Sequence, residues 1–227
     1  LCEDNLPAPV IADPGKHFKT VLYTGTNTNR SVTGVGFKPG FVWTKERNGT
    51  EVPAFYDEVR KPPNVLYSSE TNSEENNSGY LYSFDDDGFT VGTADLSNNA
   101  GGEYVAWCWK AGGAAVPNTE GSITAQVSAN QTAGFSIAKW TGTGANGTIG
   151  HGLSTAPEIM FVKGLDNTDH WFVYSSSLTT SQYLYLNLTS TIASGANAWN
   201  STAPTNSVFS IGDDGGVNGS SNDYIAY

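Results

Sequence analysis

The chain has 227 residues, 38% hydrophobic and 12% aromatic, and 22 acidic against 11 basic side chains give it a formal net charge of -11. That much apolar material fills one large core or two small ones, which excludes a disordered chain. The acidic balance argues against a surface that grips phosphate backbones, so no nucleic-acid partner is expected. No run of 18 apolar residues occurs, so no membrane span is expected either.

In chain order, residues 1–17 read as an extended leader, because Pro7, Pro9 and Pro14 suit neither a central strand nor a helix interior. Runs of alternating or β-branched residues then predict strands at about 19–23, 30–35, 40–45, 52–56, 65–68, 80–84, 89–92 and 103–110. Gly, Asn and Asp lie between them at a spacing of roughly 8–12 residues, as in sandwiches and barrels. Residues 104–109 are apolar on both alternating faces, which predicts a strand central in its sheet, and 159–162 read the same way. The small residues of 111–118 predict a flexible linker and a domain boundary, followed by an additional strand at 122–127.

The chain repeats itself. Phe18-Lys19-Thr20-Val21-Leu22-Tyr23-Thr24-Gly25-Thr26 is answered by Phe135-Ser136-Ile137-Ala138-Lys139-Trp140-Thr141-Gly142-Thr143, Gly34-Val35-Gly36-Phe37 by Gly150-His151-Gly152-Leu153, and Phe41-Val42-Trp43-Thr44-Lys45 by Ile159-Met160-Phe161-Val162-Lys163. Farther on, Tyr104-Val105-Ala106-Trp107 is answered by Tyr224-Ile225-Ala226-Tyr227. The repeating unit is thus roughly 90 residues, the size of a small domain. The expected fold is all-β: two tandem, internally duplicated, jelly-roll-like β-sandwich units at 18–113 and 114–227, the second reading as truncated at its last strand.

Few residues carry chemistry. Asp85-Asp86-Asp87-Gly88 clusters carboxylates as a hard cation such as Ca2+ requires, but it lacks the spacing and distal Glu of a recognised calcium loop. An acidic turn before a strand is the competing reading, and Asp213-Asp214 lies near the corresponding place in the second unit. His17, His151 and His170 share no metal-ligand spacing, and no nucleophile elbow or assignable acid-base pair occurs, so no catalytic residue and no cofactor is assigned. Cys2 and Cys108 are the only cysteines; no bridge between them is supported, and Cys108 reads as a small buried hydrophobe. Trp171 and Trp199, placed in loops, are the candidates for stacking on the sugars of a surface glycan, with core burial as the competing reading.

The motif set Tyr23-Thr24-Gly25, Thr33-Gly34-Val35-Gly36-Phe37-Lys38-Pro39, Tyr56-Asp57-Glu58-Val59-Arg60, Phe84-Asp85-Asp86-Asp87-Gly88-Phe89 and Tyr104 to Gly113 resembles a module of tail-fibre and other virion proteins of marine bacteriophages, notably those of cyanobacteria. The leader Cys2-Glu3-Asp4-Asn5-Leu6-Pro7 is similar to the segment that precedes that module. The resemblance implies a non-enzymatic structural protein on the virion exterior, bound to other virion proteins, homo-oligomeric, and contributing to contact with a host surface glycan. Three alternatives stand beside it. They are a spacer or decoration without receptor binding, a polysaccharide depolymerase, and a secreted glycoprotein carrying glycans at Asn29, Asn48, Asn76, Asn130, Asn146, Asn187, Asn200 and Asn218.

Overall fold

The strands of this chain alternate between two apolar faces, and that alternation sets the architecture. In the computed structural model, which describes residues 11–227, the first unit contains β1 (Phe18–Thr24), β2 (Arg30–Thr33), β3 (Phe41–Glu46), β4 (Ala54–Asp57), β5 (Asn64–Tyr67), β6 (Glu75–Asn76), β7 (Leu81–Asp85), β8 (Gly88–Val91), the one-turn helix α1 (Asp95–Asn98) and β9 (Glu103–Trp109). Next come β10 (Val116–Asn118), β11 (Ala125–Asn130), β12 (Phe135–Thr141), β13 (Gly147–Gly150), β14 (Ile159–Gly164), β15 (Phe172–Ser175), β16 (Gln182–Tyr185) and β17 (Ala193–Ser194). The chain closes with α2 (Ala196–Trp199), β18 (Val208–Ile211), α3 (Gly215–Asn218) and β19 (Asp223–Ala226). The fold is all-β, and among the described residues no helix is long and apolar enough to cross a membrane.

Sheet order repeats with the sequence. One large sheet runs β1-β9-β3-β4-β5-β6 and the other runs β10-β11-β12-β19-β14-β15-β16-β17, so equivalent strands follow the same order and the second sheet carries two extra strands at one side. Smaller sheets, β2-β8-β7 and β13-β18, complete the two units. The predicted central strands are central: β9 lies between β1 and β3, and β14 between β19 and β15.

The inner strands of the large sheets feed two cores. Val42, Tyr56, Val65, Tyr104 and Ala106 face Val32, Leu81, Phe89 and Val91 of the small sheet, forming the first unit's own core. Ala138, Trp140, Met160, Val162, Phe172 and Tyr224 do the same with Ile149, Phe209 and Ile211 in the second. The alternate residues Phe41, Phe55 and Leu66 of one unit meet Ile137, Trp171 and Ile225 of the other, so the large sheets face each other across a third apolar layer. Burial of each large side chain there contributes about 1.5–3 kcal/mol, which makes the seam a core rather than a loose contact.

The linker expectation is corrected. Ala111 is buried in the seam, Gly112 donates its N–H to Ser128 Oγ at 2.9 Å, Gly113 donates to Glu58 Oε1 at 3.1 Å, and Val116–Asn118 is a strand paired with β11. A Cβ on Gly112 would sit 2.4 Å from Ala129 O, so this glycine permits close backbone approach rather than flexibility. The expected strand at 122–127 lies later, at Ala125–Asn130. Of the leader, Pro14–Lys16 forms a short 3-10 turn and His17 O accepts the Lys110 N–H at 2.8 Å. Cys2 and the first ten residues lie outside the described part; Cys108 is free and buried.

The duplicated Thr-Gly-Thr motif has a structural cause. Asn98 and Asn218 are fully buried plugs: Asn98 Oδ1 accepts the Thr26 N–H at 2.9 Å and its Nδ2 donates to Gly92 O, while Asn218 Oδ1 accepts from Thr143 N at 3.0 Å and its Nδ2 donates to Gly212 O. The hydroxyls of Tyr104 and Tyr224 anchor the neighbouring one-turn helices through Asp95 O and Gly215 O. Gly25 and Gly142 are required because the chain passes against Asn99 O and Gly219 O, where a Cβ would fall at 2.0 and 2.3 Å. Asn218, with its amide in these bonds, is thereby removed from the candidate glycosylation sites.

Candidate functional site

The residues singled out for chemistry are engaged in holding the fold. Asp87 accepts the N–H groups of Gly34 and Gly36 at 3.1 and 2.5 Å, closing the turn between β2 and β3; these bonds hold its carboxyl below the usual carboxylate range. Asp85 accepts from Ser83 Oγ and Thr90 Oγ1 at 3.0 and 2.6 Å across the β7–β8 hairpin, and Asp86 completes the same turn. Asp85, Asp86 and Asp87 thus serve as turn residues of the fold, and among the described residues no three His, Cys, Asp or Glu side chains come together. Asp214, expected to correspond to them, instead caps α3 by accepting the Gly216 N–H at 2.8 Å.

Trp171 and Trp199 are corrected as well. Both are 0% exposed: Trp171 lies in the seam with its Nε1–H donated to Tyr67 O at 2.9 Å, and Trp199 lies in the second unit's core with Nε1–H donated to Gln182 O at 3.2 Å. Neither ring can reach a sugar. Their loop positions in sequence concealed this, because an indole that finds a carbonyl partner is at home in a core.

A buried polar network lies at the seam, and the sequence alone did not assign it. Asp57 and Arg60 are buried, with Arg60 Nε donating to Asp57 Oδ2 at 2.5 Å. Asp57 Oδ1 takes the N–H groups of Val59 and Arg60 at 2.9 and 2.8 Å, and the Tyr227 hydroxyl of the second unit donates to Oδ2 at 2.6 Å. Arg60 also donates to Phe55 O at 3.0 Å and to Glu74 Oε1 at 3.2 Å, while Glu74 N–H donates to Leu165 O across the seam. Burial raises the Glu74 carboxyl above its ordinary range, with Arg60 opposing. The signal was present: Asp57-Glu58-Val59-Arg60 is where the first unit departs from Ser175-Ser176-Ser177-Leu178 of the second. Asp57 and Arg60 have no charged counterpart in the second unit, and Asp57 takes its bond from that unit's Tyr227.

At one margin of the same seam a cavity of about 340 Å³ opens, walled by Phe41, Trp43 and Trp109 from the first unit and Phe135, Phe161 and Tyr227 from the second. It continues past Ile159 and Pro157 to His151. His151 is buried; its Nδ1 accepts the Leu153 N–H at 3.1 Å, which leaves Nε2 as the donor to Thr205 O at 3.1 Å. Burial lowers its pKa and keeps the ring neutral. With both nitrogens bound to backbone, His151 has no free nitrogen to act as a general base. Trp43 Nε1 is a buried donor without an acceptor among the described residues. The cavity is lined by rings and aliphatic groups and suits an uncharged, largely apolar guest.

Buried Lys163 is not part of this cavity. Its ammonium donates to Gly164 O and Asn167 O at 2.8 and 3.0 Å, and burial pulls its pKa down to about 8. The equivalent Lys45 reaches Glu46 O and Gly49 O, one and four residues ahead in the same way, so the duplicated lysine fastens the loop after its strand.

A family model described as a domain of unknown function (DUF7483) matches residues 13–227. No curated protein matches the chain. No solved structure matches it either.

Proposed function

The chain belongs to the DUF7483 family, and we propose that it is a non-enzymatic structural protein of a virion exterior, in a tail fibre or similar appendage, that contributes to host-surface attachment. The observation that carries the reading is the build of the seam: two copies of one β unit joined by a buried aromatic layer and by the Tyr227 hydroxyl of one donated to the buried Asp57–Arg60 pair of the other. A duplicated unit fixed in one orientation suits a part that must hold its shape and present loops or a cavity at a defined angle. The motif resemblance to virion modules and the acidic composition support the same reading. In it, contact with the host falls not to Trp171 or Trp199 but to accessible surface such as the aromatic cavity between the units.

The test is adsorption. Host cells incubated with excess purified chain should bind fewer particles; undiminished adsorption would count against attachment and favour a spacer or decoration. Release of reducing sugar from host envelope polysaccharide by the chain would overturn the non-enzymatic assignment.

A further inference from the structure

The duplication exposes a difference between the two units. In the second, β12 is flanked on its outer side by β11, with Gln126 opposite Lys139, Ser128 opposite Ile137 and Asn130 opposite Phe135. The equivalent strand of the first unit, β1, ends its sheet, and among the described residues no strand pairs with its outer side. Leu22 is 64% exposed there and Phe18 39%.

Backbone parity identifies the open groups. His17 O takes the Lys110 N–H and Gly25 N–H donates to Gly102 O, each at 2.8 Å, at the two ends of the β1–β9 ladder. Antiparallel pairs alternate between bonded and non-bonded, so the odd residues between them, Lys19, Val21 and Tyr23, bond to β9. The N–H and C=O groups of Phe18, Thr20, Leu22 and Thr24 therefore point away from the sheet. Arg30 Nη1 donating to Thr24 O at 2.7 Å agrees with that assignment.

The other large-sheet edges are blunted. β10 carries Pro117 at its centre, and β6 and β17 have two residues each. β1 has seven residues, no proline and no bulge. We propose that two copies of this chain pair through β1, antiparallel about a twofold axis at Val21, so that the two six-stranded sheets become one. This register sets Thr20 against Leu22 and Phe18 against Thr24, all with outward backbone groups. It also places the strand's one charge, Lys19, opposite Tyr23 rather than opposite itself. The occupant of the edge is thus the counterpart of what β11 supplies to β12, and the inference stands on strand layout, independent of any role on a particle.

Light scattering and amide hydrogen exchange on the purified chain test it. The expected result is a particle of twice the chain mass that dissociates on dilution, in which the amides of Thr20 and Leu22 are protected and become exchangeable in the monomer. Those of Lys19, Val21 and Tyr23 stay protected throughout. Leu22→Lys, at an exposed position, should give a monomer whose thermal unfolding matches that of the wild type diluted until it has dissociated. Thr20→Pro removes an outward N–H and should act alike; if it fails to fold, Leu22→Lys decides. A wild-type monomer at about 1 mM, protection of the Thr20 and Leu22 amides in a monomer, or a dimer unaffected by Leu22→Lys would each overturn the proposal.

Discussion

Removing the charge of Asp57 while keeping its shape is the most direct probe of the seam. In Asp57→Asn the carboxylate becomes an amide with one acceptor and one donor end. The native group accepts four bonds, two from backbone N–H groups on Oδ1 and two from Arg60 Nε and Tyr227 on Oδ2. Whichever way the amide turns, its NH2 meets two donors. In either orientation the guanidinium of Arg60, with its side chain 1% exposed, loses its buried carboxylate and is left with the partly exposed Glu74 as its charged partner. Breaking one partner of a buried pair costs about 3–5 kcal/mol, so Asp57→Asn should lose that much in urea unfolding. The double variant Asp57→Leu with Arg60→Met buries no unpaired charge and should lose much less than two separate lesions would. An Asp57→Asn loss below about 1 kcal/mol, the range of exposed pairs, would refute the claim that this pair is desolvated beneath the second unit's Tyr227.

Trp171→Ala and Trp199→Ala should each destabilise the chain by about 3–5 kcal/mol in urea unfolding, whereas rings standing in solvent to meet a sugar would leave stability nearly unchanged. Burial lowers the folded pKa of His151, so its contribution is fully present above the unfolded value of about 6.5 and is lost as pH falls through the folded value. Thermal unfolding followed from pH 7.5 to 5 should thus show a decline that is smaller in His151→Val, the residue found at the equivalent Val35. Calcium or a chelator should leave the melting temperature unchanged. Asp87→Ala, which removes the acceptor of the Gly34 and Gly36 N–H groups in an exposed turn, should lower the melting temperature slightly, and by the same amount with calcium as with the chelator.

Strand positions in the first unit were legible because the relevant signals are local. The alternation in Phe41 to Lys45 and the doubly apolar Tyr104 to Trp109 each follow from where neighbouring side chains point. What the second apolar face packs against was not legible. Phe41 and Phe55 pack against Trp171 and Tyr227, and no short-range pattern marks a pairing over that separation. The linker misread has the same origin: Ala111 and Gly112 are small because the seam and Ala129 press on them, Gly113 holds a φ of +89°, and composition alone does not distinguish these demands from freedom. For Asp85 to Asp87 the sequence left two readings, since a carboxylate closing a turn and one awaiting a cation look alike locally; the bonds from Asp87 to the Gly34 and Gly36 N–H groups are those of the turn.

The order of strands in the large sheets also constrains how the chain reaches its fold. β1 has its partner in β9, some eighty residues later, and β12 waits in the same way for β19. The bond from the Tyr227 hydroxyl to Asp57 closes across 170 positions. Loop closure on that scale must precede the contacts that reward it, so such topologies fold slowly, in milliseconds to seconds or longer. On a ribosome adding about 5–20 residues per second, β1 stays unpaired for several seconds until Trp109 has emerged. For that interval Phe18 and Leu22 lie on a strand with both edges bare, and the speed of translation, rather than the stability of the finished sheet, decides how long it stays open to the wrong neighbour.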